Sequence, residues 1–290
     1  MSLRAQLWLI FLAPVVLMGA LFALGWTLPV PALGRGYVIR ITLPPAGEPA
    51  DLPQVLGPKD KSRPLIVIDA GHGGHDPGAS GNGVEEKNLT LGLAKALRDE
   101  IVKEGGIRVA LTRSDDRYLV LAERFGIARA LGADLFLSIH ADSAGDADGV
   151  SGASIYTLSN TASSEAASRF ADRENSADVV NGVALDGRSD TINAILVQLS
   201  QRKTQEDSNV FASLILREGR DRLKFHSQPL RSAELAVLRA PDLPSVLYEA
   251  GFVTNPQEAQ ALTSPRGREA FAKVMARAVR IYFARQSGDG

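Results

Sequence analysis

The sequence predicts an α/β protein in which six strands form one sheet sandwiched between helices. Beyond residue 64, short β-branched or apolar runs alternate with longer helical patterns. Those runs are apolar almost throughout rather than every second residue, as strands covered on both faces are. A chain of 290 residues with 45% hydrophobic content is long and apolar enough to bury a core, which excludes a disordered or collagen-like chain.

The elements follow in chain order. No charge occurs from Ala5 to Gly34, and Leu7–Leu28 matches the ~20 apolar residues of a membrane-spanning helix. Arg4 precedes the run, Ala23 and Gly25 suit a cleavage point before Trp26, and Pro29 and Pro31 end it. Residues 1–34 therefore read as a signal peptide or an uncleaved membrane anchor, and both put the remainder outside the cytoplasm. Residues 35–63, with Pro44, Pro45, Pro49, Pro53 and Pro58, read as a proline-rich tether. The span 64–287 is the globular domain. Its expected strands are Leu65–Asp69, Arg108–Thr112, Leu135–His140, Ala153–Leu158, Leu235–Leu238 and Ser245–Glu249. Helical patterns cover Asn88–Glu104 ahead of Gly105-Gly106, Tyr118–Leu131 ahead of Gly132, and Pro265 to about Arg285. Residues 159–232 interrupt the alternation as a helical insert, with stretches at Ala162–Val180 and Asp190–Arg217 about a Gly182–Gly187 turn. A connection of that length is usually functional.

Composition narrows the chemistry. With 32 Lys+Arg against 33 Asp+Glu the net charge is −1, so no basic field exists for a nucleic-acid partner. The absence of Cys removes disulfides, thiolate metal sites and Cys nucleophiles, leaving His and carboxylates as donors. Two of the four histidines stand at strand ends, where ligands bind in open α/β sheets. His72 lies in Asp69-Ala-Gly-His-Gly-Gly74 and His140 in Leu137-Ser-Ile-His-Ala-Asp142. A third donor can come from the first turn of the following helix, where Glu86 and Glu85 compete. Two imidazoles, one carboxylate and an open position make a catalytic zinc arrangement. Glu249 ends the last strand at the same side of the sheet, and a carboxylate there must be paired, solvated or functional.

Several motifs, in order and spacing, resemble zinc-dependent N-acetylmuramoyl-L-alanine amidases of the group that separates daughter cells. Val67-Ile-Asp-Ala-Gly-His-Gly-Gly74 with Asp76-Pro-Gly78 and Glu86-Lys-Asn88 is similar to the first metal block. Ser138-Ile-His-Ala-Asp142 is similar to the second, and Pro244-Ser-Val-Leu247 with Glu249, Gly251-Phe252 and Asn255 to the catalytic block. The resemblance implies one zinc ion on His72, Glu86 and His140, a catalytic Glu249, and a twisted, mostly parallel six-stranded sheet. It implies cleavage of the amide between N-acetylmuramic acid and L-alanine in peptidoglycan, in the periplasm or otherwise outside the cytoplasm. The alternatives are a zinc peptidase acting on other peptides and a non-catalytic wall-binding protein. His75 and His226 fall on no ligand position and read as surface or structural residues. Within the insert, Arg173-Glu-Asn-Ser-Ala-Asp178 resembles the inhibitory helix of division amidases, which implies Glu174 as a removable plug on the zinc. A LytM-domain-type activator is the implied partner, and the apolar Ile192–Leu199 face is its candidate dock.

Overall fold

The structure is a computed structural model. It describes residues 52–143, 150–180, 183–184 and 194–288, together with residue 12. The leader at 1–34, the tether up to residue 51, most of the Gly182–Gly187 turn and the side chains of Ile192–Leu199 lie outside the described residues. Among the described residues no helix is long and apolar enough to cross a membrane.

Ten strands and six helices make up the described elements: β1 (Leu65–Ala70), β2 (Ser80–Gly81), β3 (Val84–Glu85), α1 (Glu86–Glu104), β4 (Arg108–Leu111), α2 (Leu121–Ala130), β5 (Leu135–Asp142) and β6 (Ala153–Leu158). Then come α3 (Glu165–Asn175), β7 (Val179–Val180), β8 (Val183–Ala184), α4 (Ala194–Gly219), β9 (Phe225–Ala233), β10 (Ser245–Phe252), α5 (Pro256–Thr263) and α6 (Pro265–Gly288). Six strands form the main sheet in the order β4-β1-β5-β10-β6-β9. Every neighbouring pair is parallel except β10 with β6, so β6 and β9 run against the other four.

Both faces of the sheet are covered, which explains the continuous apolar runs. Ile66 and Ile68 of β1 pack with Leu93 and Leu97 of α1, Phe211 and Ile215 of α4, and Met275 and Val279 of α6. On the opposite face Val67, Phe136 and Leu247 meet Phe170 of α3, Ala128 of α2 and the 235–238 segment. The Asn255 side chain caps α5 by accepting from Gln257 N and Glu258 N, with Pro256 in the first turn.

Four expectations need correction. Leu235–Leu238 is not a strand: Ala236–Leu238 is a 3₁₀ turn, and its apolar run reflects burial of Leu235, Val237 and Leu238 in the second core layer. The sixth strand is β9, a half-exposed edge whose polar sequence and Pro229 conceal it. Residues 225–232, read as part of the insert, thus belong to the sheet. The helix expected over Ala162–Val180 is shorter, because Ser176–Asp178 tightens to a 3₁₀ turn and Val179–Val180 pairs with Val183–Ala184. The end of the expected tether also docks: Leu56 exchanges backbone hydrogen bonds with Val109 on the edge strand β4, at 2.8 and 3.0 Å.

Candidate metal centre

The strand order reverses at β1, which has β4 on one side and β5 on the other. At such a switch point the carboxyl ends of the strands leave a crevice open to a ligand. The polar residues gather there.

His72 follows β1 by two residues, with φ of 58°, a left-handed conformation unusual for a side chain with Cβ. Its Nδ1 lies 2.7 Å from Asp76 Oδ2, which fixes the ring and leaves Nε2 free to face inward. His140 is reached by β5, and Gly71 N donates to Ile139 O at 3.0 Å to carry the β1–β5 pairing past the strand end. The ring of His140 consequently lies on Gly71, where a Cβ would come within 2.5 Å of its atoms. Only glycine fits there. The β2–β3 hairpin, turning at Asn82 and Gly83 with positive φ, brings the chain back so that Glu86 opens α1.

Glu86 is buried and gripped by backbone: Ala79 N donates to Oε2 and Ala141 N to Oε1, both at 2.8 Å. Its Oε1 stands 3.1 Å from His72 Nε2 and 3.1 Å from His140 Nδ1. The rival Glu85 has a side chain 48% exposed and lies next to Asn88 instead. From the insert, Glu174 places Oε2 3.0 Å from His140 Nδ1 and 3.5 Å from His72 Nε2. One donor atom each from His72, His140 and Glu174 falls within 4.8 Å of the others, a grouping able to hold a metal ion.

Glu249 completes the set from β10. It sits level with His140 in the parallel register, so the two side chains share a face of the sheet. It is buried, and neither carboxylate oxygen has a hydrogen-bond partner. Burial first, then the charges of Asp142, Glu86 and Glu174, push its pKa well above the ordinary carboxylate range. Burial alone would depress both imidazoles. The Glu86 carboxylate and the Asp76 hydrogen bond instead raise His72 to about 10, and Glu174 and Glu86 do the same for His140. His72 Nε2 and Glu174 Oε2 are also buried without a hydrogen-bond partner. Orphaned donor atoms of the kinds that bind metal, aimed at one point among buried carboxylates, fit a divalent cation.

The sequence reading brought together His72, Glu86, His140, Glu174 and Glu249, and it left His75 and His226 outside. Neither joins the centre: His75 is exposed and its ring lies tilted against Tyr118, centroids 4.2 Å apart, and His226 contacts Arg231. It missed the supports beneath. Asp69 is fully buried and receives Thr112 Oγ1 at 2.6 Å, Ser138 Oγ at 2.7 Å and Arg124 Nη1 at 3.1 Å. A charged residue inside an apolar strand was the available signal.

The helix bearing Glu174 is pinned on three sides. Arg173 pairs with Asp142. Asn175 Nδ2 donates to Glu234 O at 2.7 Å, and its Oδ1 accepts from Ala236 N at 2.8 Å. The Asp178 carboxylate accepts from Leu121 N at 2.9 and 3.0 Å, capping α2, whose own N-cap Val120 has no side chain to offer. Tyr118 Oη lies 2.9 Å from both Ala177 O and Asp178 Oδ1.

A family model described as N-acetylmuramoyl-L-alanine amidase matches residues 66–280. The chain belongs to this family. The amidase is 39% identical over 227 residues to N-acetylmuramoyl-L-alanine amidase AmiA of Salmonella typhimurium, with 78% of each chain covered. Identity and coverage are the same with AmiA of Escherichia coli. Among solved structures it is similar to N-acetylmuramoyl-L-alanine amidase AmiC2 of Nostoc punctiforme, with 27% identity and a TM-score of 0.54, covering 76% of this chain and 97% of that one. The amidase is thus a peptidoglycan hydrolase of cell-wall remodelling, and its centre lies within the matched residues.

Proposed function

We propose that the amidase is a zinc enzyme held closed by its own insert, hydrolysing the amide between N-acetylmuramic acid and the L-alanine of the stem peptide. The reading rests on one observation: four donor side chains from the loop after β1, α1, β5 and α3 converge on a point, with two donor atoms orphaned, beside an unpartnered buried carboxylate. His72, Glu86 and His140 are the resident ligands, and Glu174 occupies the position that solvent and substrate need. When bound, zinc supplies a Lewis acid for the scissile carbonyl and lowers the pKa of water toward ~7. Glu249 takes the proton from the attacking water and delivers it to the departing alanine nitrogen. Asp76 and the backbone amides of Ala79 and Ala141 hold His72 and Glu86 in place during turnover.

The test is a digest of purified peptidoglycan read by mass spectrometry, alongside metal analysis of the protein. One zinc per chain and release of intact stem peptides with a free L-alanine amino group are expected. Cleavage inside the stem peptide would assign a peptidase, and metal content near zero would leave only a wall-binding role.

Glu174 as plug makes regulation testable. Charge-assisted contacts of this kind contribute about 1.5–3 kcal/mol, so Glu174→Ala should raise basal hydrolysis between about tenfold and a hundredfold without loss of zinc. An unchanged basal rate in a dye-release assay removes the plug from the scheme. Asp178→Ala removes the cap that ties the plug helix to α2. Losing about 1 kcal/mol of capping should raise the basal rate by about fivefold, less than the Glu174 change, and adding it to Glu174→Ala should bring little more.

An activator of the LytM-domain type would pull α3 off the centre, and the Ile192–Leu199 face remains its proposed dock. A peptidoglycan substrate and the apolar run after Arg4 support a site of action outside the cytoplasm, in the periplasm, with the leader either cleaved or kept as an anchor.

A further inference from the structure

Among the described residues Arg113 is the largest fully buried side chain, and its guanidinium makes no ion pair with a carboxylate. Asp69, Asp115 and Asp116 offset its charge only from a distance. Burying a guanidinium without a carboxylate in direct contact is costly, and a well-packed apolar residue of similar volume would be the more stable choice. What it touches explains the residue type. Nε donates to Ala70 O at 2.9 Å, Nη1 to Asp115 O at 3.0 Å, and Nη2 to both Gly71 O and Lys87 O at 2.8 Å. Thr90 Oγ1 closes the cluster, 2.9 Å from Gly71 O and 3.3 Å from Arg113 Nη2.

Those carbonyls come from two segments with different ligands. Ala70 and Gly71 lead directly into His72, and Lys87 directly follows Glu86. One nitrogen, Nη2, therefore bonds both the loop that aims His72 and the helical turn that aims Glu86. Arg124 holds the other side of the loop, donating to Ala70 O at 3.0 Å and His72 O at 3.1 Å, but it is neutralised by Asp69. His72 is in a left-handed conformation that is strained for a residue with a Cβ and persists only where surrounding contacts hold it.

We infer that Arg113 is a positioning residue for the metal centre, a buried cation whose planar fork sets the spacing between His72 and Glu86. The inference rests on the zinc reading above and adds a residue to it. Lysine keeps the charge but offers a compact point donor on a flexible stem, so it cannot hold carbonyls of both segments in the fork geometry. In Arg113→Lys, zinc affinity measured by competition with a chromogenic chelator should fall about 10- to 100-fold, the usual loss when an outer support of a ligand is removed. Activity at saturating zinc should recover in part.

A purely structural role is separated by Leu97→Ala, which opens a cavity in the core between α1 and the sheet without touching these carbonyls. That change should lower thermal stability as much or more, yet leave zinc affinity at the wild-type value. Wild-type affinity in Arg113→Lys, or equal loss in both variants, overturns the inference. If Arg113→Lys does not fold, Thr90→Val carries the test, with an expected weakening of about two- to tenfold. Unchanged affinity there is equally decisive against it. Failure of the wild-type protein to bind zinc would strike the proposed function instead, so the two failures are distinguishable.

Discussion

Glu249→Gln should retain zinc and fold but lose about 10²- to 10⁴-fold in kcat, with KM little changed. The amide matches the carboxylate in size, so the loss reports the proton-accepting function alone. Two features single out this residue. It sits level with His140 on the same face of the sheet, and among the described residues it is the buried carboxylate with neither oxygen engaged by a hydrogen bond. Glu86, by contrast, has both oxygens held by backbone amides and cannot shuttle a proton without releasing them. The change is best measured in the Glu174→Ala background, where the basal rate is highest. The melting temperature should stay level or rise, since an amide needs less compensation for burial than a charge does. A double variant with stoichiometric zinc and a rate within threefold of its Glu174→Ala parent would show that the proton goes elsewhere.

Much of this centre was legible because its residues are rare in type and tied to strand ends. His72, His140 and Glu249 each close or follow an apolar run, and the topology of a parallel sheet puts such ends together whatever the details of the loops. The choice between Glu86 and Glu85 was different: neighbouring carboxylates on one turn look alike in sequence, and resemblance alone favoured Glu86. The β2–β3 hairpin rotates the start of α1 so that Glu86 faces Ala79 N and Ala141 N while Glu85 faces solvent.

What stayed hidden was mostly held by backbone. The grip of Arg113 on carbonyls of two segments leaves no pattern in the chain, because carbonyls have no sequence signature. The same holds for Asp178, whose partner is the amide of Leu121, and for Asn175, which bonds the backbone at 234–236. β9 was missed for another reason. An edge strand with one neighbour keeps polar residues and tolerates Pro229, whereas the buried Leu235–Leu238 turn carries the apolar run that strand-reading rules seek.

His140→Ala should abolish zinc binding and activity together, the largest effect expected of any single substitution. Its Nδ1 faces both Glu86 and Glu174, and its ring fills the space above Gly71, so its loss removes a donor and opens a cavity beside two carboxylates. Elemental analysis of the purified variant should find zinc near zero, and peptidoglycan digestion should drop to background. His226→Ala, on the exposed β9 edge, should match the wild type in both measurements. The same assay then ranks the two glutamates that approach the histidines. Glu86 is anchored by main-chain amides within the domain, so Glu86→Ala should lose the metal as His140→Ala does. Glu174 reaches the same point from a helix held by side-chain contacts that can be exchanged, so Glu174→Ala should keep the metal and gain activity. Stoichiometric zinc in His140→Ala contradicts the ligand set. Zinc lost from Glu174→Ala but kept in Glu86→Ala would reverse the assignment of resident ligand and plug.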